Sequence, residues 1–186
     1  ILDSNGEKTG QCGSCSLHCD ICQDNNTFCN QCENGYGSIL DKDGQNTGQC
    51  AICSPNCKNC TNDASNCTEC DDTGSFGFVL DENGYKTGKC ARCQENCENC
   101  AENAEFCIRC IDGTGPLLDE KGQKTGKCSP CPQNCDSCPN DSSFCASCKS
   151  NYGPILDENG EKTGKCASCS AHCSDCSEDA SNCKTC

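Results

Sequence analysis

Apolar residues come in recurring pairs along this chain. Ile1-Leu2, Ile39-Leu40, Val79-Leu80, Leu117-Leu118 and Ile155-Leu156 stand 38, 40, 38 and 38 residues apart, with polar stretches between them. Each pair is followed by Asp, then by Gly three residues later, then by Thr-Gly. That is turn chemistry: the Asp side chain bonds its own backbone and Gly accepts positive φ. The pattern predicts a short β-hairpin in every copy. One strand lies at the apolar pair and the other at Lys-Thr-Gly-Lys-Cys, as in Lys162 to Cys166. No stretch has the amphipathic period or the length of a stable helix.

Cysteine carries the same period. The chain has 186 residues and 30 cysteines. They fall in five sets, each spaced C-x2-C-x3-C-x2-C-x6-C-x2-C. The sets are Cys12, Cys15, Cys19, Cys22, Cys29 and Cys32; Cys50, Cys53, Cys57, Cys60, Cys67 and Cys70; Cys90, Cys93, Cys97, Cys100, Cys107 and Cys110; Cys128, Cys131, Cys135, Cys138, Cys145 and Cys148; Cys166, Cys169, Cys173, Cys176, Cys183 and Cys186. The repeats are read as residues 1–32, 33–70, 71–110, 111–148 and 149–186. Two extra residues fall between Cys70 and Cys90. They are placed at Thr73 to Phe78, in an exposed loop before the hairpin, where insertions are tolerated.

Composition narrows the class. The chain has no Trp and no Met, only three Tyr and five Phe, so large side chains are too few for a continuous core. Cross-links must supply much of the order. The net charge of −14 lacks the basic footprint of a nucleic-acid binder and reads as solubility and self-repulsion between units. No apolar run approaches membrane-spanning length.

Six cysteines per repeat leave fifteen connectivities open. Neighbours within a C-x2-C rarely bond each other in a structural scaffold, so each is expected to reach another cluster. The cysteine spacing, followed by G-x-(I/L/V)-L-D-x-x-G and another Cys, resembles furin-like cysteine-rich repeats and the growth-factor-receptor cysteine-rich region. It looks most like the long tandem versions on protist surfaces, such as ciliate surface antigens and the variant surface proteins of parasitic flagellates. That resemblance implies an extracellular location, small disulfide modules in a rod, and no catalysis.

The expected pairing agrees with the alternating two-bridge and one-bridge modules of the receptor family. Compact modules join Cys15 to Cys22 and Cys19 to Cys29, Cys53 to Cys60 and Cys57 to Cys67, Cys93 to Cys100 and Cys97 to Cys107. The last two join Cys131 to Cys138 and Cys135 to Cys145, then Cys169 to Cys176 and Cys173 to Cys183. Hairpin modules join Cys32 to Cys50, Cys70 to Cys90, Cys110 to Cys128 and Cys148 to Cys166. Cys12 and Cys186 are left over, which is read as a window on a longer array or as a bond between successive subunits. The fold class expected is therefore small and disulfide-rich: an elongated tandem-repeat rod of short β-hairpins and compact two-disulfide modules, with little or no helix.

The same residues offer rival chemistry. Cys29, Cys32, Cys50 and Cys53 satisfy a zinc-ribbon spacing, as do Cys107, Cys110, Cys128 and Cys131, and Cys145, Cys148, Cys166 and Cys169. The density of cysteine exceeds what a ribbon array requires, so neither a metal nor another cofactor is expected. A redox enzyme needs one activated thiol at a helix start; fifteen equivalent C-x2-C pairs read as structural. Asp81 to Gly84 and Asp157 to Gly160 resemble the start of a calcium loop but lack its later acidic ligand, and read as turns. His18 and His172 occupy a position that is Asn56, Asn96 and Asn134 in the other copies, which favours local hydrogen bonding over metal ligation. N-glycosylation sequons begin at Asn25, Asn59, Asn66 and Asn140; Asn25 and Asn140 are preferred because the other two contain a Cys.

The functional expectation is a non-enzymatic, secreted or cell-surface structural protein. Its partners would be further copies in a coat or fibre, adjacent repeats of a longer chain, or glycans. A ligand-binding receptor or surface-antigen module is the alternative, ranked below because no repeat is diversified into a special surface. A zinc-ribbon array is the third reading.

Overall fold

The computed structural model describes residues 4–10, 12–23 and 25–186, so the apolar pair Ile1-Leu2 lies outside the described residues. Among the described residues there is no helix. Sixteen short strands among these residues form eight antiparallel two-stranded ladders. The chain divides into two compact units, residues 1–92 with 101–104 and residues 93–100 with 105–186. Within each unit the same two modules alternate. The fold is the small disulfide-rich repeat of hairpins and two-bridge modules that the cysteine period predicts.

The compact modules hold the shorter ladders. β1 (Cys19–Ile21) pairs with β2 (Gln31–Cys32), and β5 (Cys57–Asn59) with β6 (Glu69–Cys70). β9 (Cys97–Asn99) pairs with β10 (Arg109–Cys110), and β13 (Cys135–Ser137) with β14 (Ser147–Cys148). In the module of residues 169–186 the ladder is a single bridge between Asp175 and Thr185. Two-stranded pieces this short are not stable alone in water. Each is pinned by two bridges, such as Cys53–Cys60 and Cys57–Cys67.

The longer ladders are the hairpins. β3 (Tyr36–Leu40) pairs with β4 (Asn46–Ile52), and β7 (Phe76–Leu80) with β8 (Lys86–Arg92). β11 (Thr114–Leu118) pairs with β12 (Lys124–Pro130), and β15 (Tyr152–Leu156) with β16 (Lys162–Ser168). The turns use the predicted chemistry. Asp119 Oδ1 accepts from the backbone N–H of Lys121 at 2.9 Å and of Gln123 at 2.8 Å, and Gly122 has φ +74°. The register slips between Pro116 and Leu118, opposite the Thr125-Gly126 pair, so the second glycine forms a bulge rather than plain strand.

The extra residues sit differently from the expectation. Phe76 to Phe78 belong to β7, and Phe78 is 6% exposed. The insertion is absorbed in the turn of residues 71–75, where Asp71 Oδ1 accepts from the N–H and the hydroxyl of Thr73 and Ser75 takes φ +56°. The strand must start at Phe76 because its pairing with Arg92 fixes the register.

Sulfur fills the interior. Apart from Phe78, Ala104, Pro116 and Pro154, every buried apolar side chain among the described residues is a cysteine. Closing an 18-residue separation such as Cys110–Cys128 contributes roughly 3 kcal/mol in the chain-entropy model. Noncovalent docking adds to this. The outer edge of each hairpin accepts one backbone bond from the following compact module: Ala64 N–H to Ser38 O at 2.9 Å, Ser142 to Pro116 at 2.9 Å, Ala180 to Pro154 at 2.9 Å. Phe78 exchanges bonds with Ala101 and Ala104, which is why residues 101–104 belong with the first unit. Pro116 and Pro154 are tolerated on this edge because the carbonyl is the group that docks. The glycine beside them is demanded by space: a Cβ on Gly115 would stand 2.1 Å from the Cys138 carbonyl oxygen, and one on Gly153 at 2.1 Å from that of Cys176.

Candidate functional site: the sulfur joints

The recurring chemical feature is the joint between a compact module and the hairpin after it. The structure brings together every expected pair. The compact bridges are Cys15–Cys22, Cys19–Cys29, Cys53–Cys60, Cys57–Cys67, Cys93–Cys100, Cys97–Cys107, Cys131–Cys138, Cys135–Cys145, Cys169–Cys176 and Cys173–Cys183. The hairpin bridges are Cys32–Cys50, Cys70–Cys90, Cys110–Cys128 and Cys148–Cys166. Cys12 and Cys186 are free and exposed.

At each joint two bridges touch. Cys90 Sγ lies 3.4 Å from Cys67 Sγ, and Cys166 Sγ 3.4 Å from Cys145 Sγ. The sulfurs of Cys29, Cys32 and Cys50 lie within 4.8 Å of one another, and so do those of Cys67, Cys70 and Cys90, of Cys107, Cys110 and Cys128, and of Cys145, Cys148 and Cys166. Across the ladder of the compact module Cys57 is the backbone partner of Cys70, and Cys135 of Cys148. These groups contain three of the four ribbon cysteines. The fourth, Cys53, is bridged to Cys60 instead. A half-cystine has no thiolate to give a metal, so the oxidised joint is not a zinc ribbon.

A backbone lock accompanies the sulfurs, and sequence reasoning missed it. The N–H of Cys107 donates to the carbonyl of Gly126 at 2.7 Å, and Cys29, Cys67 and Cys145 do the same to Gly48, Gly88 and Gly164. These glycines have φ between +72° and +77°, the bulge conformation that turns the carbonyl toward the compact module. The residue before each of these cysteines covers the glycine. Phe28, Phe106 and Phe144 lay their rings over Gly48, Gly126 and Gly164, and Asn66 takes that place over Gly88. The signal was present as a recurrent Phe before the fifth cysteine, but its target lies about twenty residues away in the hairpin.

The histidines have a backbone explanation. His18, Asn56, Asn96, Asn134 and His172 all have φ between +59° and +66°. That left-handed region favours Asn and His among residues with a side chain. Their carbonyls turn a corner: Asn56 O accepts from Asp71 N–H at 2.8 Å and Asn134 O from Lys149 N–H at 2.9 Å. His18 also stacks on Tyr36, centroids 3.9 Å apart, with Nδ1 3.4 Å from Glu33 Oε2. The calcium-like segments are turns whose carboxylates serve the backbone: Asp81 Oδ1 accepts from Asn83 and Tyr85, Asp157 Oδ1 from Asn159 and Glu161.

The sequon asparagines lie at the surface, except that Asn25 is half-buried. Asn25 Oδ1 accepts from Thr27 N–H at 3.0 Å and its hydroxyl at 2.8 Å. Asn59 Oδ1 accepts likewise from Thr61, at 3.1 and 2.6 Å. Asn140 is exposed. Charge is local: Lys58 bonds Glu69 and Asp72, which holds its ammonium above the ordinary lysine value. The side chain and then the backbone N–H of Thr73 hold the Asp71 carboxyl below the ordinary range.

Comparison with protein-family models, curated proteins and solved structures finds no match for the chain.

Proposed function

We propose that this chain is a non-catalytic structural repeat protein of an extracellular coat or filament, built to stay connected under protease, heat and tension. The observation that carries the reading is the joint, repeated four times with the same bridges and the same backbone bond to a bulge glycine. Fourteen bridges belong in an oxidising compartment. No helix among the described residues is long and apolar enough to cross a membrane. The likeness to protist surface repeats supports the same location. In such a chain tension applied at the hairpins would fall on covalent bridges rather than on a hydrophobic core.

Imaging the oxidised protein at rising concentration tests the assembly claim. Fibres or ordered sheets are expected. Isolated monomers at every concentration would contradict it.

A further inference from the structure

The joints do more than hold. We propose that each is a disulfide-exchange site for a small thiol, able to switch between two bridge patterns over the same four cysteines without net oxidation or reduction. The inference rests on the oxidised joint itself, not on the coat or filament role.

The joint around Cys57, Cys67, Cys70 and Cys90 shows the geometry. Its native bridges are Cys57–Cys67 and Cys70–Cys90. One sulfur contact and one backbone pairing favour the other pattern. Cys67 Sγ is 3.4 Å from Cys90 Sγ, and Cys57 and Cys70 are Cα partners in the β5–β6 ladder. Cys70 is 8% exposed while Cys90 is half-buried, so a thiol enters at Cys90.

The sequence of exchanges balances. An external thiolate attacks Cys90 Sγ, breaks the bond to Cys70, and leaves a mixed disulfide on Cys90 with a thiolate on Cys70. The Cys70 thiolate attacks Cys57 Sγ opposite it, forms Cys57–Cys70, and releases Cys67 as thiolate. The Cys67 thiolate attacks its neighbour Cys90, forms Cys67–Cys90, and expels the external thiol unchanged. Two bridges are present before and after, and the thiol is a catalyst. Exchange of this kind requires the attacking thiolate to reach the target sulfur. The three-sulfur grouping that sets Cys67 beside Cys90 recurs at all four joints, and Cys53 and Cys60 have no place in it or in the β5–β6 ladder that pairs Cys57 with Cys70. The consequence is a joint that answers an attacking thiol by isomerising: the hairpin's tie to the compact module opens when Cys70–Cys90 breaks and is restored as Cys67–Cys90 when the thiol leaves.

The test uses the full chain with Cys12 and Cys186 changed to Ser, which removes the two exposed free thiols. Reduced glutathione is added well below the bridge concentration, the reaction is quenched in acid, and bridges are mapped after pepsin digestion without reduction. Peptides joining Cys57 to Cys70 and Cys67 to Cys90 are expected beside the native pairs, with Cys53–Cys60 intact. Native pairs alone, or scrambling that engages Cys53 and Cys60 equally, would overturn the proposal. In the same background Cys57→Ser frees one thiol. Alkylation is expected to divide between Cys67 and Cys70, with at least about a tenth on Cys70, whereas Cys53→Ser is expected to label Cys60 alone. Label confined to Cys67 would overturn it too, and if that variant does not fold the bridge map decides.

Discussion

The joint at Asn66 and the joint at Phe106 share a backbone and differ in their side chains. Both have the cysteine N–H bonded to a bulge glycine carbonyl, at 2.7 Å in each case. At one joint a Phe ring covers the glycine, and at the other an Asn side chain does so. The hairpin after Asn66 carries other supports. Phe78 is buried beneath Lys86, whose Nζ stands 4.0 Å from the ring centroid and 2.8 Å from Glu102 Oε2. Its counterpart after Phe106 places Pro116 and Lys124 at those positions. Sulfur and backbone define the joint, and side chains adjust it. The repeat can therefore drift in sequence while the cysteines and glycines stay in register.

Bridge removal breaks the comparison most severely. Cys110→Ser with Cys128→Ser is expected to cost about 3 kcal/mol and to open residues 111–127 to protease, and Cys70→Ser with Cys90→Ser to do the same for 71–89. Hydrogen exchange read by mass spectrometry checks both. Equal loss across the whole chain would contradict a modular account.

Crowding the docking edge comes next. Gly115→Val forces a side chain against the Cys138 carbonyl and is expected to cost about 1–3 kcal/mol. Gly122→Ala, whose Cβ would meet nothing within 4 Å, carries only the backbone penalty of its positive φ, about 1 kcal/mol. Thermal unfolding of the two variants separates close approach from conformational freedom.

Exchanging the covering side chains sharpens the comparison directly. Phe106→Ala is expected to destabilise its joint by about 1 kcal/mol, since the ring is 41% exposed and buries only part of its surface. Asn66→Phe is expected to stabilise the other joint by somewhat less. Denaturant midpoints for the pair check the sign of each.

The smallest effect is electrostatic. The folded Asp71 carboxyl titrates below its ordinary value of 3.8 because Thr73 bonds its charged form. A depressed folded value contributes stability above the unfolded value, and that contribution is lost as pH falls through the folded one. The turn of residues 71–75 should therefore loosen only below about pH 4, and Thr73→Val should return the carboxyl toward the ordinary range. Carboxyl chemical shifts followed through an acid titration give the answer.

Much of this was legible in the chain. The apolar pairs, the Asp-x-x-Gly turns and the cysteine period define the hairpins and the alternation of modules, because each is a local signal repeated at fixed spacing. What was not legible depends on contacts between segments far apart in sequence. Thr125-Gly126 reads as strand, yet Gly126 is a bulge because its carbonyl serves Cys107. Phe106 has no role that local sequence assigns, because the hairpin glycine it covers lies about twenty residues away. His18 and His172 read as hydrogen-bonding residues, and His18 does meet Glu33, but the property they share with Asn56, Asn96 and Asn134 is a backbone angle. The insertion reads as extending to Phe78, whereas pairing with Arg92 starts the strand at Phe76.

The oxidised joint is the premise of the whole account, and intact mass under denaturing, non-reducing conditions with an alkylating agent tests it most directly. Alkylation at Cys12 and Cys186 alone, with two hydrogens lost for each of the fourteen bridges and no bound zinc, is the predicted result. Thirty alkylated cysteines accompanied by stoichiometric zinc would contradict the bridges, the compartment and the structural role together.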